Sequence, residues 1–288
     1  MKRTIKLNNG GQLAFNTQDM LGEAGTQGSV YKTELSGITV AVKVYHANAW
    51  VKIEKRTQYL VSRRDVQVIP NLCLPLSIGQ CTDSGEFAVV MPFVDAIPLE
   101  QYLEEQNPDF VKRVELAIQF VQLCSLMENK GIAHGDLSYS NVVVDKVNHQ
   151  ISLIDLDNFI CTDNSVCHPP AFGSYEFLSP ELRLGFHDNN KAQVPTIYSE
   201  RFSYAVILSE LLVNQHPAVD ANDPGDFYNI MMAGDYPCSE SANKQLSKTI
   251  LELFQKSFSL KGESRPTAKN WLNVLLNAVE KQSIVIHS

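Results

Sequence analysis

The stretches HGDLSYSN at residues 134–141 and IDLD at residues 154–157 carry the most information about this chain. The first contains Asp136 and, five residues later, Asn141; the second contains Asp155, fourteen residues after Asn141. Two short apolar runs between Asn141 and Asp155 predict a pair of strands. The pattern therefore gives two carboxylates and an amide, whose oxygens are ligands that Mg²⁺ prefers.

This order of carboxylate, amide and carboxylate is typical of a site that transfers phosphoryl groups. Asp136 would orient the attacking hydroxyl, while Asn141 and Asp155 would hold magnesium on the phosphates. The two stretches resemble the catalytic loop and the metal-binding Asp of the protein kinase superfamily. The resemblance implies ATP and Mg²⁺ as cofactors, and Asp136 as the catalytic residue of the transfer.

Length, charge and cysteine usage favour a soluble globular protein. The chain has 288 residues, enough for one large domain or two lobes, and a formal net charge of -8, which disfavours nucleic acid as a partner. No apolar run approaches the ~20 residues of a membrane-spanning helix. The N-terminal segment lacks the apolar region of a secretory signal, and six scattered Cys without a CxxC pair are typical of reduced thiols. We therefore expect a cytoplasmic protein without membrane insertion.

Residue patterning predicts strands first and helices afterwards. Strands are expected at 4–7, 12–15, 30–35, 38–45, 74–78 and 86–91, with hairpin turns after the first and third and one helix at 47–64. Helices are expected at 99–106, 110–130, 200–214, 244–257 and 267–280. This order predicts an α+β fold. By resemblance it is a bilobal kinase-like fold, with an N-terminal antiparallel sheet lobe at 1–95, which includes an extra N-terminal hairpin, and a mostly helical C-terminal lobe at 96–288.

A glycine-rich segment and the strand after it point to nucleotide binding. Glycines let backbone N–H groups approach phosphates closely, and this segment resembles the kinase loop G-x-G-x-x-G-x-V through Gly22, Gly25, Gly28 and Val30, with the first glycine displaced by one residue. The next strand ends in Val40-Ala41-Val42-Lys43 and resembles the kinase V-A-I-K strand. Lys43 is therefore expected to bind the α- and β-phosphates.

The resemblance also implies a partner for Lys43 and a pocket for adenine. The partner is expected to be Glu54, the only Glu between residues 35 and 85, which lies in the predicted helix. Met91, Pro92 and Val94 resemble the kinase hinge, where the Pro92 carbonyl and the Val94 N–H would bond adenine. The residues expected to sandwich the ring are Val30, Ala41 and Val143.

Four residues depart from the kinase pattern. Gly135 replaces the Arg of H-R-D, and Ser138 replaces the Lys that Ser/Thr kinases carry near the transferred phosphate. Asp157 replaces the Gly of D-F-G and would either restrict the metal-binding Asp or add a metal contact. Glu200 replaces the Asp that holds the catalytic-loop backbone, which leaves some loss of catalytic efficiency open.

Two later segments favour protein over small molecules as the phosphoryl acceptor. Residues 173–181 resemble the kinase segment G-T-x-x-Y-x-A-P-E, and residues 265–268 resemble R-P-T-A. In protein kinases the Glu and the Arg of these segments form a buried ion pair, so Glu181 and Arg265 are expected to pair. Small-molecule kinases lack both segments.

The resemblance extends over residues 20–280 and implies an atypical, bacterial-type Ser/Thr protein kinase that acts on a protein substrate, itself included. Two alternatives stay open. The H-G-D segment also resembles aminoglycoside and choline kinases, and the departures at Asp157 and Glu200 fit a nucleotide-binding pseudokinase scaffold. Without the Arg that Gly135 replaces, phosphorylation of Thr162, Ser165 or Ser174 is expected to change activity little.

Overall fold

The computed structural model describes residues 1–25, 27–46, 50–162, 173–188, 193–237 and 246–280. The chain forms two compact units. The first contains Met1–Asp95 together with Ile154–Asp157, and the second contains Ala96–Leu153 and the described residues from Asn158 onward. The division expected at residue 95 does not include this return of Ile154–Asp157 to the first unit, because the contacts that hold this segment are made by side chains.

An antiparallel six-stranded sheet forms the first unit, in the order β2-β1-β5-β6-β4-β3. Its strands are β1 (Lys2–Leu7), β2 (Gln12–Asn16), β3 (Gly28–Leu35), β4 (Ile38–Tyr45), β5 (Ser77–Cys81) and β6 (Phe87–Pro92). Both predicted hairpins are present. The outermost strands of this order, β2 and β3, meet through a bond of 2.7 Å from Thr33 Oγ1 to the Ala14 carbonyl and through the rings of Phe15 and Tyr31. The sheet therefore curls on itself.

Alternation along β4 sorts its side chains between the two faces of the sheet. Val40, Val42 and Val44 belong to one buried cluster, which also contains residues of β1, β2 and β3. Tyr45 belongs to a second cluster, in which Ile53 of helix α1 (Trp50–Ser62) packs on the sheet. Because Lys43 is two residues before Tyr45, it projects from the same face as Tyr45. A short helix α2 (Arg64–Gln67) follows α1.

Strand β5 begins three residues later than the sequence predicts. The expected strand started at Leu74, but Pro75 has no N–H to give to a strand ladder, and pairing begins only at Ser77. The expected helix at 47–64 is observed from Trp50 to Ser62, and residues 47–49 lie outside the described ranges.

Helices dominate the second unit. They are α3 (Leu99–Gln106), α4 (Phe110–Asn129), α5 (Pro180–His187), α6 (Ile197–Val213), α7 (Pro224–Met232), α8 (Lys248–Ser257) and α9 (Ala268–Glu280). Five of these match predicted helices to within a few residues, although the predicted start of α8 at 244 lies outside the described ranges. The sequence prediction missed α5 and α7. For α7 a local signal exists, since the Asp223 side chain accepts the N–H groups of Gly225 and Asp226, and Pro224 opens the helix.

Short strands frame the loop quoted first. They are β7 (Ile97–Pro98), β8 (Ile132–Ala133), β9 (Val142–Val144), β10 (Ile151–Leu153) and β11 (Ile160–Cys161). Residues 134–141 connect β8 to β9, and β9 pairs with β10 as the apolar runs predict. Segment Ile154–Asp157 leaves β10, and β11 returns to pair with β8. None of the helices in the described ranges is both long and apolar enough to span a bilayer.

Candidate active site

Lys43 lies between two carboxylates in the first unit. Its Nζ is 2.5 Å from Asp155 Oδ1 and 2.5 Å from Asp157 Oδ2, and its side chain is only 8% exposed. Burial acts to lower the pKa of Lys43, but the charges of Asp157 and Asp155 outweigh burial and raise it. The ammonium is therefore charged, and two of its three N–H donors are in use.

The expected pair between Lys43 and Glu54 is not formed, and this expectation is corrected. Glu54 is half-buried and accepts a hydrogen bond from Gln58 of the next helical turn, at 3.1 Å. Ile53, Arg56 and residues one turn further on form the buried face of α1, so the helical period turns Glu54 away from it. The prediction was made because Glu54 is the only Glu of the region. That fact does not indicate which face of the helix its side chain occupies.

Asp157 makes contacts that decide between its two expected roles. Its Oδ2 is bound to Lys43, and its Oδ1 accepts the hydroxyl of Tyr45 at 2.6 Å. Its carbonyl accepts Nε of Arg56 at 3.0 Å. With both carboxylate oxygens bound within the protein, Asp157 is suited to anchoring this segment rather than to adding a metal contact.

Asp155 and Asn141 each fit a role as magnesium ligand, considered separately. Asp155 uses only Oδ1, for Lys43, and its side chain is 42% exposed, so among the described residues Oδ2 has no partner. Its φ of 60° lies in the left-handed region, where a residue other than Gly is unusual and often functional. Asn141 donates Nδ2 to the Asp136 carbonyl at 2.8 Å, which leaves its amide oxygen for a cation.

Magnesium commonly binds through one or two protein side chains together with phosphate oxygens and water. Within the ranges that the structure describes, no group of three or more His, Cys, Asp or Glu side chains is arranged to hold a metal. Asp155 and Asn141 therefore each offer one oxygen donor of a kind that this ion accepts.

The glycines of the expected phosphate loop occupy different structural environments. A Cβ on Gly28 would lie 2.2 Å from the Val44 carbonyl, so close strand pairing alone demands glycine there. Gly25 donates its N–H to the Gly28 carbonyl at 2.9 Å, and Gly22 is exposed with a φ of 67°. Residue 26, inside this loop, lies outside the described ranges. Phosphate binding by Gly22, Gly25 and Gly28 stays a prediction.

The residues expected around adenine lie on four strands, β3, β4, β6 and β9, and just after β6. Ala41 pairs with Met91, and Val30 pairs with Lys43, which brings these side chains to neighbouring strands of the first unit. The Pro92 carbonyl, expected to bond adenine, accepts the thiol of Cys73 at 3.2 Å. Val94 follows β6, and Val143 is buried in β9 of the second unit.

Asp136 is held by two donors in the second unit. Its Oδ1 accepts the backbone N–H of Ser174 at 3.1 Å, and its Oδ2 accepts Nδ2 of Asn158 at 3.4 Å. A carboxylate has about four acceptor sites, so Asp136 can still accept a substrate hydroxyl. Nothing in the sequence indicated Asn158 as a neighbour of Asp136, because the contact joins residues 22 positions apart that share no periodic pattern.

Glu200 holds the backbone of the catalytic loop. Its Oε1 accepts the N–H of Gly135 at 3.0 Å, so the extra methylene relative to Asp is accommodated. Burial raises the pKa of Glu200 to about 8, and the backbone hydrogen bond from Gly135 opposes that shift. This carboxyl is therefore poised to change charge near neutral pH.

The predicted ion pair between Glu181 and Arg265 is confirmed. Both guanidinium terminal nitrogens bind the two carboxylate oxygens, each at 2.7 Å, in a forked arrangement. Arg265 is 2% exposed and also donates to the carbonyls of Ser259 and Tyr198. The fork ties α5 to the segment before α9.

A family model and several curated proteins match this chain. The model for the protein tyrosine and serine/threonine kinase domain matches residues 15–275. A RasGEF domain-containing serine/threonine-protein kinase of Dictyostelium discoideum is 28% identical over 68% of this chain and 20% of its own length. A probable serine/threonine-protein kinase of the same organism is 23% identical over 89% of this chain and 23% of its own length.

A bacterial protein is also among the relatives. The probable serine/threonine-protein kinase PknB of Lactococcus lactis is 26% identical over 67% of this chain and 30% of its own length. The chain therefore spans between a fifth and a third of the length of these relatives.

Proposed function

Because the chain belongs to the protein tyrosine and serine/threonine kinase family, we propose that it transfers the γ-phosphoryl group of ATP to Ser or Thr hydroxyls of proteins, itself included, with Mg²⁺ as cofactor. Its α+β fold is of the bilobal kinase type. The relatives are longer than the chain, so the proposal concerns this chain and leaves the physiological substrate open.

One observation carries the proposal: the groups that phosphoryl transfer needs are fixed in place yet keep free atoms. Lys43 keeps one N–H, Asp155 keeps one carboxylate oxygen and Asn141 keeps its amide oxygen, counted among the described residues. Lys43 is the most informative of the three, because its side chain is only 8% exposed and buried polar groups are usually satisfied within the protein.

The roles of these residues follow from their chemistry. Lys43 would bind phosphate oxygens with its remaining N–H, and Asp155 and Asn141 would hold Mg²⁺, which neutralises charge on the phosphates. Asp136, oriented by Ser174 and Asn158, would accept the hydrogen bond of the attacking hydroxyl and so align it. Adenine binding by Met91, Pro92, Val94 and the apolar residues Val30, Ala41 and Val143 is part of the same proposal.

The fork between Glu181 and Arg265 supports a protein as the acceptor. In protein kinases the corresponding ion pair supports the region that binds the peptide substrate. The aminoglycoside and choline kinase alternative does not account for this pair. The bulk charge and the kinase family also support a protein partner rather than nucleic acid.

The test measures transfer of labelled γ-phosphate from ATP to myelin basic protein and to the chain itself. Asp136→Ala and Lys43→Ala are each expected to lower transfer by roughly 100-fold or more, because each removes a group that acts on the transferring phosphate or the nucleophile. Lys112→Ala, which removes a surface Lys paired with Glu115, is the matched control and should transfer as wild type does. Equal transfer by Asp136→Ala and wild type, or label on metabolites but never on protein, would contradict the proposal.

A further inference from the structure

Lys43 is a buried cation, and a buried cation needs counter-charges nearby. The structure provides two, Asp155 and Asp157, both from the short segment after β10 and both at 2.5 Å from Nζ. The helix beside the sheet provides none, because Glu54 binds Gln58 instead.

The two carboxylates differ in how many of their oxygens are hydrogen-bonded within the protein. Asp157 is 13% exposed and has both oxygens bound, one by Lys43 and one by the Tyr45 hydroxyl. Asp155 is 42% exposed and has one oxygen bound. Asp155 can therefore turn to another ligand, whereas Asp157 is dedicated to Lys43.

Helix α1 contacts the segment after β10 through the side chain of Arg56. Arg56 is 3% exposed and points its Nε at the carbonyl of Asp157, at 3.0 Å. Apart from its bond to Lys43, Asp157 is thus fixed at two points, by Tyr45 of β4 through its side chain and by Arg56 of α1 through its backbone. Such fixation is what a carboxylate needs in order to hold a flexible Lys side chain in one rotamer.

We propose that Asp157 is the positioning residue for Lys43: it holds the ammonium ready for the phosphates of the nucleotide and takes the place of a carboxylate supplied by the helix. The inference rests on the proposed function, since phosphate binding by Lys43 gives the positioning its purpose. Asp155 then stays available to the metal, because Lys43 keeps a counter-charge when Asp155 turns to the cation.

The test compares Asp157→Asn with Glu54→Gln, which removes the helix carboxylate. The Kd of Mg²⁺ with AMP-PNP, a non-hydrolysable ATP analogue, is measured by calorimetry, and KM for ATP and kcat are measured with myelin basic protein. Asp157→Asn is expected to raise Kd and KM by about 10- to 100-fold, the range for loss of a charge-assisted hydrogen bond. Glu54→Gln should match wild type, and Asp157→Glu should recover part of the loss.

Two further measurements keep a positioning role apart from a structural one. If Asp157→Asn only reduces the folded fraction, Kd and KM of the remaining protein stay unchanged, and the inference is overturned. If Asp157→Asn does not fold, Tyr45→Phe removes one contact of Asp157 without changing the volume of the ring, and a raised Kd is again expected. An unchanged Kd in Tyr45→Phe would then overturn the inference.

The outcome for Asp157 is separable from that for the kinase activity. A wild-type protein that binds AMP-PNP but transfers no phosphate would refute the proposed function, while the Kd comparison still decides whether Asp157 positions Lys43. Equal Kd values in wild type and Asp157→Asn, or an equal loss in Glu54→Gln, would overturn the inference and leave the kinase assignment standing.

Discussion

At residue 135 the backbone leaves no room for a side chain. Gly135 has a φ of 80°, and a Cβ added there would lie 1.9 Å from the Asn158 carbonyl. An Arg cannot occupy this position, so the sequence departure at H-R-D is a steric necessity of the way the loop meets Asn158. The prediction that phosphorylation of Thr162, Ser165 or Ser174 changes activity little stays a prediction, and residue 165 lies outside the described ranges.

Gly135→Ala is expected to destabilise the protein strongly, because it adds a clash with backbone to the cost of a positive φ. Gly37→Ala is the matched control: Gly37 has the same φ of 80° with no atom within 4 Å of the added Cβ. In urea unfolding, Gly37→Ala should cost about 1 kcal/mol and Gly135→Ala at least ~2 kcal/mol more. Equal losses in the two variants would show that the approach of Asn158 is not rigid.

At the scale of elements, helix α6 carries an ionisable group into the interior. The Thr196 side chain caps the helix, and Glu200, one turn later, meets the backbone of the catalytic loop. Burial holds the pKa of Glu200 at about 8, whereas an unfolded chain gives a Glu a value of about 4.3. Between these values the folded protein keeps a proton that the unfolded chain releases.

The free energy of unfolding should therefore fall as pH rises through this window, by up to ~1.4 kcal/mol per pH unit from Glu200 alone. Glu200→Gln keeps the acceptor for the Gly135 N–H but cannot ionise. Its unfolding free energy, measured in urea between about pH 5 and about pH 8, should fall less with pH than that of wild type. Glu115→Gln, at an exposed site, should follow wild type, and parallel profiles for Glu200→Gln and wild type would contradict the prediction.

The elements could be predicted from the sequence where local signals decide them. Turn residues predicted both hairpins of the first unit, and helical periodicity located α4 closely. Side-chain partners were harder to predict from the sequence. Glu54 and Arg56 lie two positions apart on one helix, and only the packing of α1 on the sheet decides which of them faces inward. No periodic pattern in the sequence predicts a contact such as the one between Asn158 and Asp136.

At the scale of the whole molecule, the fork between Glu181 and Arg265 joins segments 84 residues apart. The sequence predicted this pair because both residues lie in recognisable family segments. It did not predict that Ile154–Asp157 belongs with the first unit, since that membership depends on Lys43, Tyr45 and Arg56.

Arg265→Met should destabilise the protein by about 3 kcal/mol or more, because Glu181 would keep its charge without a partner. The matched control is Lys248→Met, which breaks an exposed pair with Glu252 at 4.0 Å and should cost under about 1 kcal/mol. Urea unfolding measures both. If Arg265→Met lowers the free energy of unfolding as little as the control does, water must solvate the unpaired Glu181 carboxylate.

The first hairpin lies almost wholly before the region that the family model matches, which begins at residue 15. Strand β1 pairs with β5 at Ile5–Cys81, Lys6–Gln80 and Leu7–Gly79. A chain without residues 1–16 would leave that side of β5 with unpaired N–H and C=O groups, and such an edge recruits strands from other molecules. We therefore expect the hairpin to shield this edge from self-association, and the shortened chain should elute at a higher apparent mass in size-exclusion chromatography than the full chain.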